Sequence, residues 1–130
     1  MGLDQYAVLF YSEEVGAVET DYAVEASSIK DGESPIIHRW RKHPNLHGWM
    51  EALYRLKGGE EKIFNCVLVR LNIDDLDRLE AAVRSEGLPE TLGFFFGESQ
   101  PEHKAEDLAF IAKARKAIGE GFAVFYDSWW

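Results

Sequence analysis

Two stretches, residues 5–11 (QYAVLFY) and 63–71 (IFNCVLVRL), carry apolar side chains at both alternating parities. Successive side chains of a strand point to opposite faces, so runs of this kind read as strands covered on both sides. A chain holding them needs packed layers on a sheet, and the segments between supply these. Pro44 opens a run in which Leu46, Trp49, Met50 and Leu53 recur at i, i+3, i+4 and i+7 until Gly58-Gly59, which predicts an amphipathic helix. Asn72 offers an N-cap to a second helix, with Asp74 and Asp75 in its first turn, Ile73, Leu76, Leu79 and Val83 on one face, and Gly87 and Pro89 past its end. Residues 102–118 are acidic early (Glu102, Glu106, Asp107) and basic late (Lys113, Arg115, Lys116), which suits a helix dipole and predicts a third helix with Leu108, Ile111 and Ile118 inward. Residues 122–126 (FAVFY) read as a last buried strand, residues 22–26 as strand-like, and residues 91–97 as a short strand or tight loop. The order predicts an α+β fold, a small, mostly antiparallel or mixed sheet of four to five strands packed with about three helices.

A length of 130 residues with 46% hydrophobic content fits one domain, residues 1–130, that holds the acidic, weakly patterned segment 12–37 within it. Lys and Arg total 14 against 23 Asp and Glu, a net charge of -9, so neither nucleic acid nor an anionic membrane is an expected partner. No apolar run approaches the roughly 18 residues that span a bilayer. The single Cys66 cannot form an internal disulfide or a thiolate cluster, and its place in an apolar run predicts a buried small hydrophobe. A reducing, cytoplasmic setting follows. GGEEK at Gly58 is too short for a phosphate-binding loop, no G-x-G-x-x-G follows a strand, and neither G-x-S-x-G nor H-E-x-x-H occurs. No cofactor and no metal is expected.

The most unusual local feature is residues 38–47, HRWRKHPNLH, a basic island in an acidic chain. Arg41 and Lys42 beside Trp40, just before a helix start, suit an anionic group and a planar ring; the competing reading pairs them with the chain's own acidic residues. His47, Glu51 and Arg55 follow at i, i+4 and i+8. His47 with Glu51 could act as a base oriented by a carboxylate, or with His43 hold a metal, or Glu51 could simply pair with Arg55. Phe94, Phe95 and Phe96 stand between Gly93 and Gly97, as in a wall approached by a ligand or a second chain, or as plain core. Trp129 and Trp130 either close that core or form an exposed patch that suggests a homodimer contact.

Trp40-Arg41-Lys42, Leu46-His47 and Trp49, Asn65-Cys66, Leu88-Pro89, Gly93-Phe94-Phe95-Phe96-Gly97, Asp107-Leu108, and Tyr126, Ser128 and Trp129 stand in this order. The series resembles a family of small uncharacterised tailed-phage and prophage proteins with W-R-K-x-x-x-I-H-x-W, N-C, L-P, G-F-F-F-G and a C-terminal Y-x-S-x-W. The resemblance covers about residues 40–130, has Leu46 in place of the usual Ile, and finds no counterpart for the first 37 residues. It implies no agreed activity. The expectation is a binding protein in which Trp40, Arg41, Lys42, His47, Trp49, Phe94, Phe95 and Phe96 hold a small anionic or nucleotide-like ligand. Alternatives are an acidic interaction module that inhibits a host protein, and a small enzyme using His47 and Glu51 as acid and base.

Overall fold

The computed structural model describes residues 2–29, 35–93 and 96–130. Strand β1 (Asp4–Tyr11) pairs antiparallel with β4 (Phe122–Trp129) along its whole length, Asp4 opposite Trp129 and Tyr11 opposite Phe122. β2 (Ile36–Arg41) lies on the other edge of β1, and the three-residue β3 (Val69–Leu71) on the other edge of β4. The sheet order is therefore β2-β1-β4-β3, every pairing antiparallel. Three long helices, α2 (Pro44–Leu56), α3 (Ile73–Arg84) and α4 (His103–Gly119), accompany one single-turn helix α1 (Ser12–Val15). This is an α+β fold with a four-stranded antiparallel sheet.

The two parities of β1 and β4 divide the core. Ala7, Val124 and Tyr126 face the helices and join Leu46, Met50, Leu76, Leu79, Phe110 and Ile111 in the main cluster. Val8, Phe10, Ala123 and Phe125 face the other way, under Val15, Tyr22 and Ile29. Both strands are thus covered on both faces, which is why neither alternates in polarity. The three long helices start and stop close to the punctuation in the sequence. Asn72 Oδ1 accepts the Asp75 N–H at 3.0 Å while the Asp75 carboxylate accepts the Asn72 N–H at 3.0 Å, a reciprocal cap that satisfies two otherwise orphaned donors.

The sheet departs from expectation at its edges. Of residues 63–71 only the last three form a strand; ahead of them the Asn65 side chain bonds both the N–H and the carbonyl of Trp130, and the Cys66 N–H makes a single backbone bond to the Ser128 carbonyl at 2.8 Å. Ile63 points outward at 65% exposure, and Cys66, at φ +58°, is exposed rather than buried. Residues 22–26 form no strand; Thr20 instead makes an isolated bridge to Val69. The described residues of 91–97 also form none. β2 was hidden in the basic island: its outer positions carry Arg39 and Arg41, and a bulge between Ala7 and Val8 shifts the register to bring Ile36 opposite Val8. Among the described residues no helix is long and apolar enough to cross a membrane.

Asn72→Ala removes one half of the cap on α3. It should lower unfolding stability by about 1 kcal/mol, read as a lower urea midpoint with an unchanged slope.

Candidate functional site

One end of the sheet gathers most of the buried polar groups. The start of β1 and the ends of β2 and β4 meet the first turns of α2 and α4 there, and Gln5, His43, His47, His103, Asp107 and Ser128 are all buried. Burying a polar group is costly unless it is paired, and all of these side chains but the Ser128 hydroxyl have a partner. Gln5 Nε2 donates to the His43 carbonyl at 3.0 Å and to the Tyr126 hydroxyl at 3.1 Å, and Gln5 Oε1 accepts the His43 N–H at 2.9 Å. The Tyr126 hydroxyl passes the chain on to His47 Nδ1 at 2.7 Å. His43 lies 2.7 Å from Ser99 Oγ through Nδ1 and 2.8 Å from Asp107 Oδ2 through Nε2. Asp107 Oδ1 accepts the Trp40 indole N–H at 3.0 Å, and His103 stacks on His43 with ring centres 4.1 Å apart.

His47 is held neutral. Burial pushes its pKa down to about 4, against a smaller opposing contribution from the Phe64 carbonyl, because desolvation disfavours the imidazolium. Its ring sits among Phe64, Phe96 and Trp130. Burial likewise lowers His103 and raises the Tyr126 phenol well above 10. Glu51 lies apart from this network and pairs on the helix surface with Arg55.

Above the network the surface is basic and aromatic. Lys42 is exposed, pairs with no carboxylate among the described residues, and adopts φ +53°, a left-handed backbone that costs a non-glycine residue energy. Gly97, at φ +73°, lies flat against the Lys42 stem, so that a Cβ there would stand 3.0 Å from Lys42 Cδ. Gly2 faces the same pair from the other side: a Cβ on it would meet Arg41 Nη2 at 3.0 Å and Lys42 Cε at 3.2 Å. Arg41 is exposed and bonds Asp4 at 2.6 Å. A recess of about 200 Å³ next to them is lined by Gly2, Asp4, Trp129 and Trp130.

The structure brings together only part of the expected ligand set. Arg41 and Lys42 share one surface with Trp129 and Trp130. His47 and Phe96 lie behind it, buried, with the Phe96 ring 5.1 Å from the Trp130 ring at 84°. Trp40 is a core residue and Trp49 packs half-buried against the core. Phe94 and Phe95 fall outside the described residues. The glycines that flank the Phe triplet are approached by the chain's own side chains, Gly93 by the Phe96 ring and Gly97 by Lys42. Gln5 and Asn45 escaped the sequence reading, since one polar residue in a strand or helix start carries no spacing signal; Ser99 reads from the sequence as turning toward the pocket of the Phe triplet, and Asp107 as first-turn helix charge, whereas both bond His43. Among the described residues no three His, Cys, Asp or Glu side chains are grouped to hold a metal ion. No family model, no curated protein and no solved structure matches the chain.

The lowered His47 pKa makes stability depend on pH. The unfolded chain binds a proton near pH 6.5 that the folded chain takes up only near 4, so this contribution is complete above pH 6.5 and is lost as the pH falls toward 4. It amounts to about 3 kcal/mol, at about 1.4 kcal/mol per pH unit. Urea midpoints between pH 7 and 4 should fall more steeply for the wild type than for His47→Gln, whose amide keeps a partner for Tyr126.

Proposed function

We propose that the chain is a small cytoplasmic binding protein of phage or prophage type, which holds a small anionic or nucleotide-like ligand on the surface formed by Arg41, Lys42, Trp129 and Trp130. The observation that carries this reading is Lys42, a cation without a carboxylate partner among the described residues, kept in a strained backbone between two glycines. Strain of this kind persists where the surroundings over-determine it, and it concentrates at binding sites. Arg41 adds a planar fork suited to phosphate or carboxylate. Trp129, 64% exposed, offers a free ring face beside them, and stacking on such a ring suits a planar base. His47, Phe96 and the Phe64 carbonyl, which accepts the Trp130 indole N–H at 2.9 Å, fix Trp130 from behind. The network beneath thereby serves the site by rigidity rather than by contact.

Calorimetric titration with adenosine monophosphate and with inorganic pyrophosphate tests this directly. Each charge-assisted bond to an anion contributes about 1.5–3 kcal/mol, so the double variant Arg41→Ala, Lys42→Ala should weaken binding about 100-fold or more while melting at a similar temperature. Trp129→Ala should weaken the nucleotide and leave pyrophosphate unchanged. Affinity that survives the double variant would remove the proposal.

A further inference from the structure

We propose that Ser99, His43 and Asp107 form a second functional centre, separate from the anion surface: a nucleophilic relay that hydrolyses short carboxylic esters in the cleft between the first turns of α2 and α4. The cleft has a volume of about 490 Å³, and Val83, Leu88, Asn45, Lys104, His43 and Ser99 are among its walls. The direction of the hydrogen bonds decides the protonation pattern. The Asn45 backbone N–H donates to Ser99 Oγ at 3.1 Å, so the hydroxyl proton is directed at His43 Nδ1, and the imidazole proton on Nε2 is directed at Asp107. His43 is therefore poised as a neutral base toward the serine and held in that tautomer by a buried carboxylate. Nucleophile, base and orienting acid thus follow one another as in a serine relay, with the two ring nitrogens exchanged relative to the Ser-His-Asp template: Nδ1 faces the serine and Nε2 the carboxylate.

Three further features fit the assignment. Asp107 is itself fixed by the Trp40 indole N–H, and His43 is clamped between the Gln5 amide and the stacked ring of His103, so base and positioning residue are both preorganised. Asn45 Oδ1 accepts the Thr91 N–H at 3.1 Å, and Asn45 lines the same cleft as Ser99, so in this proposal its amide N–H₂ is the donor to the oxyanion of a tetrahedral intermediate. Val83 and Leu88 supply apolar wall for a short acyl chain.

The reaction runs in two balanced steps. Ser99 Oγ attacks the ester carbonyl carbon as its proton moves to His43 Nδ1. Collapse of the intermediate breaks the bond to the alkoxy group, which takes that proton and leaves as the alcohol. Water then attacks the acyl-serine, gives one proton to His43, and releases the carboxylic acid as the proton returns to Ser99. Asp107 touches no reacting atom and acts as a positioning residue through its bond to His43 Nε2.

The test uses the full chain with a fluorophosphonate and with p-nitrophenyl acetate. The wild type should carry one phosphonate adduct on the peptide containing Ser99, and Ser99→Ala none. Asp107→Asn retains an acceptor for Trp40 yet loses the carboxylate that orients His43, and His43→Gln removes the base. Both should cut labelling and ester turnover at least about 100-fold, with circular dichroism confirming the fold. A folded wild type that takes no label at Ser99, or labelling in Asp107→Asn and His43→Gln equal to that of the wild type, would overturn the relay. Neither result bears on the binding of anions at Arg41 and Lys42.

Discussion

The amide of Gln5 is the tie on which this end of the molecule depends. It sits on β1, the second strand of the sheet, and in one side chain it bonds both backbone groups of His43 and the hydroxyl of Tyr126. It therefore joins two strands to the entry of a helix in a fully buried place. Buried amides are costly when half satisfied and rigidifying when fully satisfied, and the three bonds here take up its acceptor and direct its donor. With His43 fixed, Ser99 and Asp107 have a defined partner; with Tyr126 fixed, so does His47.

Residues 96–99 carry this order outward. Phe96 packs on His47 and Trp130, Gly97 lies against Lys42, and Ser99 bonds His43 and the first turn of α2. Three of these four residues thus touch the buried network, the basic surface and the cleft in turn. A segment without regular secondary structure acquires a definite shape in this way, since each of its contacts is made to an element that is itself rigid.

The sequence made the layers legible and hid the junctions between them. The helices announced themselves through Pro44, Asn72 and the charge gradient of residues 102–118, because each of those signals is local to a helix end. The central strands were legible because being covered on both faces leaves a mark in composition. β2 was not, because its edge position lets arginines stand at its outer positions, and Cys66 was misplaced: a side-chain bond from Asn65 to Trp130 and one backbone bond from Cys66 to Ser128 stand where a strand ladder was expected. Of the site, Arg41 and Lys42 could be found from charge alone. His47 was singled out for the wrong neighbour: helical spacing put Glu51 beside it, whereas its partner Tyr126 comes from a strand 79 positions away. Long-range pairing of this sort leaves no periodicity to read.

The union of β1 with β4 sets a condition on how the molecule is made. Every residue of β1 finds its β4 partner more than a hundred positions further along, and closing such a loop costs entropy before any contact repays it. The helices can form from nearby residues, but the sheet that anchors them waits for residues 122–129. Residues 4–11, apolar on both faces, can pair with β2 once residue 41 has been made, but their other edge has no partner until residues 122–129 follow. A chain built in this order has a long interval in which a bare strand edge invites the wrong partner, and the acidic stretch that follows at once, from Glu13 onward, keeps like chains apart by charge during it.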